Sequence, residues 1–275
     1  MRWPEVRSTN QSAPVFIFSA GWRSGSTFLQ RWLMTDKTLM VWGEPYRHAG
    51  LIESLARPLA AFTANWPKDE YFDHHGPDND LSSAWIANLY PSLTDFMNAH
   101  ISYLERLFLE PALALGRSRW GLKAVTLGTD HAGYLKWLFP RAKFLFIYRN
   151  PYAAYGSYKK FGGWYKSWPA EPVFTATGYG TLWRELVTDF VQNCHKVDGL
   201  LLPYEEFATP ATRERLEQYL GVPLAEASSL ARISDAPHAV VRAQAHPHWI
   251  PKLELVLLKR QVEPLGAKLG YRPPR

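Results

Sequence analysis

The sequence of 275 residues holds one cysteine, Cys194. A lone thiol excludes an internal disulfide and any cysteine-rich zinc motif, and it suits a reducing compartment. Long apolar runs are missing as well. No stretch reaches the roughly 18 unbroken apolar residues of a membrane-spanning helix. The N-terminus, MRWPEVRSTNQSAP, lacks the apolar core of a signal peptide. No run of Lys and Arg reaches five residues, so the net charge of +6 is scattered. A polyanionic small ligand accounts for it more economically than nucleic acid or an anionic membrane. There is no internal repeat and no low-complexity segment. Asp73, His74, His75, Asp78 and Asp80 come nearest to a metal cluster. They lack convergent ligand spacing, so a solvated loop and no metal are expected.

Apolar residues make up 47% of the chain and aromatic ones 15%, enough for a sizeable core. The length admits one large domain or two small ones. Short apolar runs alternate with helical stretches, which implies a parallel sheet with helices on both faces.

The stretch around which the rest is organised is PVFIFSAGWRSGSTFLQRWL, ending at Leu33. Val15 to Phe18 reads as a buried strand, and Phe28, Leu29, Trp32 and Leu33 recur at helical spacing. The turn between them aims backbone N–H groups and a helix dipole at one point, where a phosphate or sulfate binds. Arg23 adds a fixed charge there, and Ser24, Ser26 and Thr27 add hydroxyls. The turn departs from the nucleotide-triphosphate loop G-x-x-x-x-G-K-[ST]: Ala20 replaces the first Gly and Ser26 the Lys. With the cation moved to Arg23, the loop suits an anion that has no γ-phosphate and needs no Mg²⁺.

A second strand, turn and helix follows in KFLFIYRNPYAAYGSYKK, from Lys143 to Lys160. Arg149 ends the strand, Pro151 fits the first helical turn, and Ser157 lies a little over two turns further on.

Together the two stretches resemble the sulfotransferases that use 3′-phosphoadenosine-5′-phosphosulfate (PAPS), in the branch with an R-S-G loop: tyrosylprotein, carbohydrate and bacterial enzymes. The resemblance implies a P-loop nucleotide-kinase-like α/β fold of three layers with a central parallel sheet. It assigns the 5′-phosphosulfate to Gly21, Trp22, Arg23, Ser24, Gly25, Ser26 and Thr27. It assigns the 3′-phosphate to Arg149 and Ser157 of R-[DN]-P-x5-S, with Asn150 where Asp is usual. Glu44, in Gly43-Glu44-Pro45 after the strand Thr38 to Trp42, matches the general base of that branch; His48 is the runner-up base. An acceptor hydroxyl must shed its proton as it attacks sulfur, so the chemistry asks for such a group. Lys123 aligns with a Lys that stabilises charge on the sulfonate or the leaving oxygen, although Ala124-Val125 replace the relatives' Asp-Pro or Thr-Pro. Tyr204, in Tyr204-Glu205-Glu206-Phe207, matches a Tyr near the nucleotide, and Gly221-Val222-Pro223 and Leu269-Gly270-Tyr271 are also family-like. Arg242, His246 and His248 precede the last helix, in the stretch that folds over the nucleotide in relatives.

The whole chain, 1–275, is thus expected to be one sulfotransferase domain with an N-terminal extension over 1–13 and acceptor-side loops over 61–84 and 161–180. Many eukaryotic relatives carry a membrane anchor; none is visible here, so a cytoplasmic, bacterial-type enzyme is expected. The acceptor, a small molecule or carbohydrate, and the oligomeric state are left open. Further helices are predicted over Leu51–Phe62, with Pro58 bending or ending it, and over Trp85–Leu115, Gly128–Phe139, Trp183–His195 and Thr212–Leu220, with another between Trp249 and Tyr271. Strands are predicted over Trp120–Val125 and Val197–Leu202, and Phe161–Trp183 reads as an aromatic loop that either stacks adenine, lines an acceptor pocket or simply packs. His100 is read as a satisfied core histidine.

Overall fold

The computed structural model describes residues 6–44, 50–60, 66–68, 71–72, 82, 87, 89–159, 175–230 and 250–274. His48, Arg242, His246, His248, residues 73–81 and the aromatics Phe161 to Phe174 lie outside the described residues.

Five strands form one parallel sheet: β1 (Val15–Ser19), β2 (Leu39–Trp42), β3 (Arg119–Val125), β4 (Lys143–Tyr148) and β5 (Leu200–Pro203), in the order β2-β3-β1-β4-β5. β1 is central and buried along its whole length. Its register sets Ile17 beside Lys123 and Leu145, and Ser19 beside Val125 and Ile147. A parallel sheet must be covered on both faces, and alternation sorts its side chains to do so. Val15, Ile17, Val41, Leu145 and Ile147 pack under Leu29, Trp32 and Leu33 of α1 (Ser26–Leu33) and Leu216 and Leu220 of α8 (Pro210–Leu220). Phe16, Phe18, Trp120, Leu122, Phe144 and Phe146 pack under α3 (Leu93–Leu104), α5 (Thr129–Leu138) and α7 (Ala176–Asn193). The remaining helices are α2 (Leu51–Ala60), α4 (Glu110–Ala114), α6 (Pro151–Lys159) and α9 (Lys252–Lys268). This is the three-layer α/β arrangement that the sequence implied. The chain leaves β1 towards one face and β4 towards the other, so a crevice opens between their carboxyl ends, where open α/β sheets bind ligands.

Several boundaries differ from the expectation. α3 begins at Leu93, not near Trp85. Pro91 disfavours a helical Tyr90, which instead bridges to Phe72, and Ser92 Oγ accepts from Asp95 N at 3.1 Å to cap the helix. From Glu105 to Leu109 this helix widens to a π turn before α4. Pro111 has no N–H to return to Leu107, and the Phe108 carbonyl takes the Trp42 indole N–H at 2.9 Å instead. β5 starts at Leu200, because Cys194–Val197 is a 3-10 turn and Asp198 is left-handed. Pro58 lies inside α2 rather than ending it at once.

The predicted loop ending at Trp183 is shortened by helix: α7 begins at Ala176, capped by Thr175 Oγ1, which accepts from Gly178 N at 3.0 Å. Gly178 and Gly180 disguise this helix in the sequence. Gly180 is required by packing, since a Cβ there would meet Gln261 Cβ at 2.7 Å and Leu258 Cδ1 at 3.2 Å on α9. The α7–α9 pair is thereby close-packed behind α6.

Candidate active site

The loop between β1 and α1 has an alternating backbone. Gly21 (φ 83°), Arg23 (φ 65°) and Gly25 (φ 91°) are left-handed, while Trp22 and Ser24 between them are not. Alternation of this kind turns successive N–H groups into one concavity, an anion-binding nest. Gly25 is also the N-cap of α1 and supplies no side chain to occupy the helix's first N–H groups. The Ser24 hydroxyl does not face the concavity. It is fully buried and donates to the carbonyls of Ala20 (3.1 Å) and Gly21 (3.2 Å), so it shapes the loop from behind. Ser26 is buried at the start of the helix and Thr27 is exposed.

Tyr204 explains the second loop glycine. A Cβ on Gly25 would meet Tyr204 Cδ2 at 2.1 Å, so the ring lies directly against the loop. The Arg149 guanidinium sits 4.4 Å over the other part of this contact, the Tyr204 ring. Arg149 Nη1 donates to the Arg23 carbonyl at 3.1 Å, and Arg23 Nε donates to Ser157 Oγ at 3.0 Å. The two motifs, far apart in sequence, therefore meet as one basic centre in the crevice between β1 and β4. Burial, then the neighbouring Arg149 charge, pushes the Arg23 pKa below the usual guanidinium value. Two such cations side by side favour an anion between them.

Arg149 is itself held. Its carbonyl accepts the Trp183 indole N–H at 2.9 Å. Asn150 Oδ1 accepts from Tyr152 N at 3.0 Å and caps α6, a role for which Asn serves as well as Asp. Asn150 N donates to Glu205 Oε1 at 2.8 Å, and Tyr271 Oη donates to Glu205 Oε2 at 2.7 Å. The sequence reading singled out Asn150 but missed Trp183, Glu205 and Tyr271 as its framework. Their nearest signals were the Tyr204-Glu205-Glu206 run and Leu269-Gly270-Tyr271. Tyr179 lies in helix α7 rather than in a loop, and of the readings open for these aromatics it takes the packing one: it is buried and its hydroxyl donates to the Trp22 carbonyl at 2.9 Å. Nothing is left of it to stack on a base.

On the far side of β1, Lys123 Nζ donates to Glu44 Oε1 at 2.7 Å. The side chains are 8% and 18% exposed, so the pair is largely out of water. Glu44 Oε2 is buried and has no hydrogen-bond partner. His100 Nδ1 lies 2.7 Å from Tyr134 Oη; Tyr134 is fully buried and His100 half-buried, so the histidine has the partner expected of it at the edge of the core. A separate cavity of about 580 Å³ lies along α5 and the end of α7, lined by His131, Lys136, Trp137 and Asp189 among others. It shares no residue with the basic centre. Among the described residues no group of His, Cys, Asp and Glu could hold a metal, and no helix is long and apolar enough to cross a membrane.

A nucleotide-binding α/β fold with a P-loop-like first turn is what this geometry defines. Residues 14–226 match the sulfotransferase family, and the chain belongs to it. It is therefore a sulfotransferase. Among solved structures it is similar to the sulfotransferase domain from the curacin biosynthetic pathway, at 14% identity and a TM-score of 0.50, covering 97% of this chain and 100% of that one. It is also similar to the sulfotransferase domain of the Synechococcus PCC 7002 olefin synthase, at 19% identity and a TM-score of 0.46 over 82% of this chain and 79% of that one. A mouse sulfotransferase, SULT7A1, in complex with PAP matches at 13% identity and a TM-score of 0.41, over 81% and 62%. No curated protein matches the sequence significantly.

Proposed function

We propose that this sulfotransferase moves the sulfuryl group of PAPS to a hydroxyl of a small-molecule or carbohydrate acceptor, acting as one domain over 1–275 in the cytoplasm. The observation that carries this is the meeting of the two anion motifs through Arg23, Ser157 and Arg149. The donor set fits a bisphosphorylated nucleotide: backbone N–H groups, two guanidiniums and a hydroxyl, all of them donors. PAPS brings the activated sulfuryl group. Gly21, Arg23, Gly25, Ser26 and Thr27, with the backbone of Trp22 and Ser24, receive its 5′-phosphosulfate. Arg149 and Ser157 take its 3′-phosphate, and Tyr204 keeps Arg149 against the loop.

Glu44 is the general base. Lys123 holds Oε1 and fixes the carboxylate, leaving Oε2 to accept the proton of the attacking hydroxyl. The new O–S bond forms in line as the bridging bond to the 5′-phosphate breaks. When Glu44 takes the proton its charge is neutralised, and the Lys123 charge becomes available, with Arg23, to the oxygen of the departing 3′,5′-ADP (PAP). No step calls for a metal.

The test is calorimetric titration with PAP beside ATP plus Mg²⁺. Micromolar PAP binding weakened by both Arg149→Ala and Ser157→Ala supports the reading. Binding of ATP–Mg²⁺ without PAP would sink it in favour of phosphoryl transfer.

A further inference from the structure

Leu269-Gly270-Tyr271 ends α9 in a way that fixes one side chain. Gly270 is left-handed at φ 80° and donates its N–H to the Ala267 carbonyl at 3.1 Å, while Tyr271 N donates to the Gly266 carbonyl at 2.8 Å. These are the two bonds of a Schellman cap, which stops the helix and sets the residue that follows. Tyr271 is that residue. Its ring meets Tyr148 at 6.3 Å and 75° and Trp183 at 6.4 Å and 65°. Packing of this kind would be met by a phenylalanine. The hydroxyl serves Glu205, donating to Oε2 at 2.7 Å.

Trp183 and Glu205 grip a single peptide group. The Trp183 indole N–H donates to the Arg149 carbonyl at 2.9 Å, and Asn150 N donates to Glu205 Oε1 at 2.8 Å. That carbonyl and that N–H belong to one planar unit, so its rotation, and with it ψ of Arg149, is fixed from both sides. The second bond is a borrowed cap. Asn150 is the N-cap of α6, and the position three residues on, from which a Glu or Gln could reach back to the N-cap N–H, holds Ala153. Glu205 does this instead, from the turn after β5. One oxygen on Asn150 leaves its carboxylate free to swing; Tyr271 holds the other. Tyr271 thus touches both grips.

We infer that Tyr271 is a positioning residue for the 3′-phosphate: through Glu205 and Trp183 it fixes the peptide that aims Arg149, so this C-terminal tyrosine sets the preference for a nucleotide with a 3′-phosphate over one without. This rests on the PAPS reading proposed above and deepens it.

The test is calorimetric titration of the full chain with PAP, and displacement of PAP by 5′-AMP, which lacks the 3′-phosphate. In Tyr271→Phe the ring stays and the bond to Glu205 goes. PAP affinity should fall about five- to tenfold, the worth of one hydrogen bond, with 5′-AMP affinity unchanged. Glu205→Ala should lower the PAP-to-AMP preference at least as far. The double variant should lower it no further than Glu205→Ala, because the tyrosine hydroxyl acts through that carboxylate. A parallel fall in 5′-AMP affinity would make Tyr271 merely structural. Unchanged PAP affinity in Tyr271→Phe would remove it from the 3′-phosphate subsite, and losses that multiply in the double variant would deny the route through Glu205. Each of these overturns the inference while the wild-type chain still binds PAP. Should Tyr271→Phe not fold, the preference in Glu205→Ala decides. Failure of the wild-type chain to bind PAP would instead overturn the proposed function, and this inference with it.

Discussion

Arg23 does two jobs from one position. Its backbone, left-handed at φ 65°, builds the anion concavity, and its side chain crosses to Ser157 on α6. Removing the guanidinium leaves the loop glycines in place but deletes the positive charge at the proposed position of the transferring group. Loss of one such donor typically costs about 2.7–4 kcal/mol in the transition state. Arg23→Ala should therefore lower turnover at least about a hundredfold in a steady-state sulfation assay, and near-wild-type activity would remove Arg23 from the sulfuryl clamp. Glu44→Gln poses a different question, because it keeps shape and a hydrogen bond to Lys123 while abolishing basicity. Turnover should vanish and PAP affinity, read by calorimetry, should stay close to wild type. A parallel loss of affinity would make the Glu44–Lys123 pair structural. At this scale the sequence was informative: the spacing of Arg, Ser and Gly within each motif is local chemistry, it marked Arg23, Arg149, Ser157 and Glu44 as candidates, and the fold brings the first three together. The direction of the Ser24 hydroxyl was not, because two residues with the same side chain differ only in which way the turn points them.

Among the elements, the first turn depends on a contact with the turn that follows β5 rather than on glycine content alone. Gly25 combines a left-handed backbone with the Tyr204 ring against its α-carbon. Gly25→Ala must pay about 1–2 kcal/mol for the backbone and must also displace the ring that carries Arg149. We expect PAP affinity to fall more than tenfold, with a lower melting temperature; unchanged PAP binding would contradict the Tyr204 contact. The helices show why element boundaries were harder to read than strands. The strands Val15–Ser19 and Lys143–Tyr148 are continuous apolar runs that no polar turn residue interrupts. Helix α7 contains Gly178 and Gly180, which read as loop, but close packing on α9 outweighs their low helix propensity. Helix α3 starts later than its apolar pattern suggests, because Pro91 and the Ser92 cap end the extended chain only at Leu93.

Over the whole molecule, ligand and protons both act on the folding equilibrium. PAP at about a hundred times its dissociation constant should add about 2.7 kcal/mol of stability by mass action, a rise of roughly 5–10 °C in melting temperature for a chain of this size. A melting temperature indifferent to PAP would count against the basic centre as its site. Burial pushes the pKa of His100 below its ordinary value of 6.5, and burial does the same to His131. As pH falls through about 6.5 the unfolded chain takes up protons that the folded chain refuses, so their contribution to stability, present at neutral pH, is lost on acidification towards the lowered folded values. Thermal unfolding followed from pH 7.5 to 5.5 should show stability dropping, less steeply in His100→Gln; equal slopes would mean that His100 titrates alike in the folded and unfolded chain.

Local patterns in the sequence were enough to determine the alternation of strands and helices, the two anion motifs, the missing triphosphate lysine and the family. Each of these depends on residues within a turn or two of one another. Only the tertiary structure decided how the motifs join: that Arg23 donates to Ser157 across 134 positions, that Lys123 pairs with Glu44 across 79, and that Tyr179 packs from a helix beneath the anion loop. Such contacts depend on which strands are neighbours and in what register. That order, β2-β3-β1-β4-β5, is fixed by burying both faces of the sheet at once, a condition on the whole chain that no single stretch of sequence contains.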